Sequence, residues 1–77
     1  MRELVSVIAK SLVTRPDQVR VTESVKDDGE ILIELRVAPE DMGKVIGKQG
    51  RIAKAIRTVV KVAATKEDKK VTVDILQ

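Results

Sequence analysis

Apolar residues recur along this chain in two rhythms, and the switches between them mark its elements. Residues 2–13 place Leu4, Val5, Ile8 and Leu12 on one stripe, the spacing of an amphipathic helix. Thr14-Arg15-Pro16-Asp17 breaks that pattern. From 19 to 25 the rhythm becomes two: Val19, Val21 and Val25 share a side, interrupted by Glu23, with Arg20, Thr22 and Ser24 opposite. Asp27-Asp28-Gly29-Glu30 predicts a hairpin turn, because Gly takes positive φ freely. A second strand puts Ile31, Ile33, Leu35 and Val37 on one face, with Glu34 and Arg36 on the other. Ala38-Pro39-Glu40-Asp41 opens a short helix: Pro suits its first position, and the two carboxylates face the positive end of its dipole. That helix runs through Met42, Val45 and Ile46 to Gly47, and a longer one covers about residues 51–64. Thr65-Lys66-Glu67-Asp68 ends it, and Val71, Val73 and Ile75 alternate in a last strand.

The order is therefore α-β-β-α-α-β, an α+β class. The hairpin makes the first two strands antiparallel. The helix pair before the third strand is long enough for a right-handed parallel crossover. A three-stranded mixed sheet with helices packed on one face is expected, as one domain over residues 1–77.

Composition narrows the chemistry. The 77 residues include no Cys and no His, which removes a disulfide framework, a thiolate nucleophile, zinc-finger spacing and the usual proton shuttle. Carboxylates such as Glu3, Glu23 and Asp74 form no paired set beside the glycines described below, so no catalytic residue, metal or cofactor is expected. No apolar run exceeds three residues, which excludes membrane insertion by a helix. Met1-Arg2-Glu3-Leu4 mixes charges too closely for a signal peptide, and a cytoplasmic location is expected.

Charge is unevenly placed. Residues 42–66 hold seven basic side chains (Lys44, Lys48, Arg51, Lys54, Arg57, Lys61, Lys66) and no acid, whereas the remainder holds eight basic and twelve acidic residues. Such focusing suggests a polyanionic partner, although a solvated helix face is the plainer explanation of any charge run. Within the block lies Gly47-Lys48-Gln49-Gly50, joining two helices. Two glycines three apart allow a tight turn and remove both Cβ atoms from one surface, so a phosphate can reach main-chain N–H groups beside a helix N-terminus. Lys48 and, just past the loop, Arg51 supply charge there. Alone, the motif is weak evidence, and an ordinary tight helix–helix turn is the favoured explanation. It is not a nucleotide-hydrolase phosphate loop: Gly43 to Gly47 spans three intervening residues where four are needed, and Gln49 stands where Ser or Thr would follow Lys48.

With the loop, its flanks Val45-Ile46-Gly47 and Arg51-Ile52, and the element order together, the chain resembles the KH domain in its type II arrangement. Residues 35–60 in particular look like the small single-KH bacterial RNA-binding proteins of the KhpA family, and the resemblance covers essentially the whole chain. It implies a GXXG loop that clamps single-stranded nucleic-acid backbone, with Gly47, Lys48, Gln49 and Gly50 on phosphates. Bases would rest on an aliphatic floor, for which Val45, Ile46 and Ile52 are candidates; Ile46 and Ile52 are equally candidates for plain core. Lys44, Arg51, Lys54 and Arg57 either guide the backbone past the loop or face water, and Lys61 is left outside the set. Gly43 sits mid-helix and either admits RNA or permits close helix packing, with packing preferred. No feature identifies a 2′-hydroxyl contact, so single-stranded DNA would also fit. The resemblance further implies homodimers, a larger KH-containing partner of the KhpB (Jag) type, and roles in post-transcriptional control, RNA chaperoning and cell-shape or cell-envelope regulation.

The absence of Phe, Tyr and Trp removes base–aromatic stacking, worth roughly 1–3 kcal/mol per base in other single-strand binders. Binding through phosphates should then be weak, little selective and steeply salt-dependent, and self-association would raise it through effective concentration. Apolar positions on the long helix cover roughly 200° of its circumference, more than packing on one sheet requires. The flank with Ala55, Val59 and Val62 is either a subunit interface or simply buried in a small core. A different class of function remains: an assembly subunit using that helix and the outward-facing Leu32 and Leu76, with RNA binding incidental.

Overall fold

In the computed structural model, residues 2–76 are described; Met1 of the N-terminal charge pattern and Gln77 lie outside them. The elements are α1 (Arg2–Leu12), β1 (Arg20–Val25), β2 (Ile31–Arg36), α2 (Met42–Ile46), α3 (Arg51–Lys66) and β3 (Val71–Leu76). Single 3-10 turns at Pro16–Gln18, Pro39–Asp41 and Lys48–Gly50 join them. Each proline stands first in its turn, where its missing N–H leaves no bond unmade.

The sheet is mixed, in the order β1-β2-β3. β1 and β2 pair antiparallel, with Val21 opposite Leu35 and Val25 opposite Ile31. β2 and β3 run parallel, with Ile33 beside Val73. The hairpin closes at Asp28-Gly29: Gly29 has φ +88°, and the Glu30 amide donates to Asp28 Oδ1 at 2.9 Å. β2 lies centrally and alternates strictly, burying Ile31, Ile33 and Leu35 under the helices. Val5 and Ala9 of α1, Val45 of α2, and Ile56 and Val60 of α3 meet them from the helix side, with Val73 from β3. The helices thus occupy one face, as the periodicities predict.

β1 departs from its pattern. Glu23 and Val25 lie on the helix-facing side, yet Val25 is 68% exposed and Glu23 is also exposed. β1 is an edge strand, and α1 covers only its beginning, where Val19 is buried and Val21 half-buried. On the opposite face, Leu32 and Leu76 are half-buried and do not face each other: Leu32 stands beside Thr72, and Leu76 beside Arg36. They form no continuous apolar patch, which weakens the assembly argument drawn from them.

Candidate nucleic-acid interface

The loop stands at the tip of a short arm made of the Pro39–Asp41 turn and α2. At the arm's base, Asp41 is completely buried. Its Oδ1 accepts from the Thr14 amide at 3.0 Å and the Thr14 hydroxyl at 2.8 Å, and its Oδ2 accepts from the Arg15 amide at 3.1 Å. The Thr14 amide is the strongest influence holding this carboxyl below its ordinary pKa. Burial opposes it, while the Thr14 hydroxyl, the Arg15 amide and the charge of Lys44 add to the lowering. Read from sequence, Asp41 is a first-turn carboxylate facing a helix dipole; in the fold it ties the α1–β1 connection to the start of α2. Glu40 remains outside and pairs with Arg15 at 3.6 Å.

The two loop glycines are not equivalent. Gly47 (φ +76°) turns its Cβ position inward, where an added carbon would lie 2.5 Å from Ile52 Cγ1. Gly50 (φ +74°) faces open space, with nothing within 4 Å of the corresponding position. One glycine is therefore fixed by packing and the other leaves the surface clear, correcting the expectation that both Cβ atoms are missing from the same surface. Gln49 also has positive φ, +59°. The Gly50 amide donates to the Gly47 carbonyl at 3.2 Å, closing the turn. The amides of Lys48 and Gln49 lead that turn, whose own bonds are donated by the Gly50 and Arg51 amides to the Gly47 and Lys48 carbonyls. α3 follows at once, so its positive end lies at the same place.

Lys44, Lys48, Arg51 and Lys54 are exposed around this point. Arg51, Lys54 and Lys61 share one side of α3 by helical spacing. Arg57 is turned toward β3, where its Nε donates to the Val73 carbonyl at 3.2 Å. Of the proposed floor, Val45 is fully buried core and offers no contact surface, because α2 packs against α3 and α1. Ile46 is 37% exposed, and Ile52 is half-buried against Gly47. Gly43 has nothing within 4 Å of its Cβ position, so it serves no close helix packing.

A second surface adjoins the loop. α1 and α3 leave a groove of about 410 Å³ lined by Ile8, Leu12, Ile52, Ala55, Ile56 and Val59, with Arg51 also along its wall. Val59 and Val62 on α3 and Val7 on α1 are exposed by 46%, 54% and 64%. The flank containing Ala55, Val59 and Val62 is thus open rather than buried. Its α1 half went unread in the sequence, although Val7 beside Ile8 already widens the apolar stripe of that helix. Among the described residues no group of acidic side chains is arranged to hold a metal ion, and no helix is long and apolar enough to cross a membrane.

The chain as a whole has relatives among known proteins. Residues 2–75 match the family described as KhpA/KhpB, KH domain. The chain is 66% identical to the RNA-binding protein KhpA of Clostridium perfringens over 76 residues, spanning 99% of this chain and 100% of that one. It is 47% identical to the RNA-binding protein KhpA of Aquifex aeolicus over 77 residues, spanning 100% and 96% respectively. Among solved structures, Era in complex with MgGDPNP and nucleotides 1506–1542 of 16S ribosomal RNA shares the fold, with a TM-score of 0.60 at 20% identity. That match covers 96% of this chain and 28% of the other.

Proposed function

This chain belongs to the KhpA/KhpB KH-domain family, and from that premise we propose that it is a non-catalytic protein that binds single-stranded RNA by its backbone. The observation that carries the reading is the glycine loop: an outward face left clear at Gly50, two leading amides, the start of a helix of sixteen residues, and Lys48 and Arg51 beside them. A phosphate lying against Gly50 meets N–H donors, a positive dipole end and two cations at once. Gly47, Lys48, Gln49, Gly50 and Arg51 form the clamp. Lys44 and Lys54 add field around it, and Arg57 marks where the strand would pass toward β3. Ile46 and Ile52 offer aliphatic surface for bases. Without aromatic stacking, sequence preference is low and affinity falls steeply with salt. Single-stranded DNA is the competing ligand.

The exposed groove between α1 and α3, with Ala55 and Val59 in its wall and Val62 exposed further along α3, supports self-association first and a heterodimer with a KhpB (Jag)-type KH protein second. Two linked clamps on one strand would raise the affinity of each by effective concentration. Light scattering well above working concentration should give a dimeric mass, and a monomeric mass counts against it. From the family resemblance we carry over a cytoplasmic setting and roles in RNA chaperoning, post-transcriptional control and cell-shape or cell-envelope regulation.

Fluorescence anisotropy of a labelled single-stranded RNA, titrated with wild type and with Lys48→Asp/Gln49→Asp at low and near-physiological salt, tests the clamp. The variant should lose binding while its circular dichroism stays that of wild type. Equal binding by the two proteins would make the loop only a turn and favour the assembly-subunit reading.

A further inference from the structure

We propose that the furrow between α3 and β3 holds a second backbone-binding subsite, formed by Lys61, Lys69 and Lys70, for phosphates of the same strand that the loop grips. The inference rests on the loop being a clamp. Two depressions adjoin along this furrow. One, of about 310 Å³, is lined by Arg57, Lys61, Val71, Thr72, Val73 and Asp74. The next, of about 400 Å³, is lined by Lys61, Ala64, Thr65, Lys69, Lys70 and Val71. Lys61 and Val71 border both, so the surface is continuous from Arg57 to Lys70.

The second depression contains three cations and no acid. Glu67 and Asp68 of the neighbouring turn are not among its lining residues, and Asp74 belongs to the other depression. Glu30, the acid nearest in the hairpin, is engaged by the Thr72 hydroxyl and by Lys26. Among the described residues Lys61, Lys69 and Lys70 take part in no ion pair. A face that merely needed solubility would mix signs here.

The backbone at this site is held on both sides. Asp68, at φ +56°, reverses the chain after α3. The Lys69 amide then donates to the Ala64 carbonyl at 2.9 Å, and the Lys70 carbonyl accepts from the Ile31 amide at 2.9 Å. These bonds bring both lysines back beside Lys61. Lys66, in the last turn of α3, already complements the negative end of the helix, so dipole compensation does not explain the three others. α3 is sixteen residues long, about 24 Å at the usual rise, which separates this cluster from the loop by several backbone units.

The test compares wild type, Lys69→Gln/Lys70→Gln and the loop variant on single-stranded RNAs of about four and about twelve nucleotides. Both lysines are exposed, so glutamine should leave the fold intact, which circular dichroism checks. On the longer RNA the lysine variant should bind more weakly, with a salt slope shallower by about 1.4, two phosphates at about 0.7 each. Its disadvantage should shrink about sevenfold between 50 and 200 mM salt. On the short RNA it should match wild type. Wild-type behaviour on the longer RNA, or equal loss on both lengths, would overturn the subsite. Retained binding by the loop variant would refute the clamp whatever the lysine variant does, so the two readings fail separately.

Discussion

The arm carrying the loop is built on opposite principles at its base and at its tip. At the base, Asp41 is fully buried, and its carboxylate is taken up by Thr14 and Arg15. At the tip, Lys48 and Gln49 are exposed, two glycines hold positive φ, and one of them faces nothing. Only the five residues of α2 lie between, with Val45 driven into the core. A helix that short does not sustain itself in water, so its direction has to come from what it is tied to. The difference teaches a division of labour. The base commits its polar groups inward and fixes the arm, and that lets the tip keep donors and cations uncommitted for a ligand.

The comparison breaks most completely at Asp41. Replacing it with Ala takes a charged acceptor away from two amides and a hydroxyl, all part-buried. Thermal denaturation should show a midpoint fall on the order of 10 °C or more for a domain of this size. The sign with pH follows from the lowered carboxyl. Because its pKa is lower folded than unfolded, its contribution is fully present above the ordinary carboxylate value and disappears as pH falls through the folded one. Wild type should therefore lose its advantage over Asp41→Ala in acid, below about pH 4. A constant difference from neutral pH down to pH 2 would mean that the ionised carboxylate is not what ties the base.

Much of this architecture is legible in the sequence, for reasons that also mark where legibility stops. β2 and α3 carry strong periods of two and 3.6, and Asp28-Gly29 specifies its turn through local backbone chemistry. The loop is legible because glycine spacing and charge are local. Burial at a sheet edge is not: Val25 has the pattern of a core residue, but whether anything covers it depends on where α1 crosses β1. Asp41 looks like any carboxylate at a helix start, since its partners lie 26 and 27 positions away. Val45 and Ile46 are neighbours of equal hydrophobicity, and only the packing of α2 makes one core and the other surface. The inward Gly47 and outward Gly50 differ for the same reason.

That last contrast gives the next test, at the tip itself. Gly47→Ala meets Ile52 at 2.5 to 2.9 Å and also carries positive φ, so it should cost about 3 kcal/mol, combining backbone strain with overpacking. Gly50→Ala has the strain without the collision and should cost about 1–2 kcal/mol. Binding should not follow the same order. Once folded, Gly50→Ala places a methyl group on the face where a phosphate would lie, and its RNA affinity should fall further than its stability. Urea titration and anisotropy on both variants separate the two effects. Equal stability losses would contradict the inward and outward assignment.

The smallest expected effect is a gain. Gly43 lies inside α2 at an exposed position, with nothing within 4 Å of its Cβ site. Alanine there removes backbone entropy from the unfolded chain and should stabilise the protein by about 0.5–1 kcal/mol. The Gly43 carbonyl accepts the Gly47 amide at 2.8 Å, a main-chain bond that alanine preserves, so the arm should stiffen without changing its course. If the tip alone meets the ligand, RNA affinity stays at the wild-type value while the denaturation midpoint rises. A fall in affinity on a more stable protein would extend the contact surface from the tip back along α2. The bare face of Gly43 would then be explained by the ligand, since no packing inside the fold requires it.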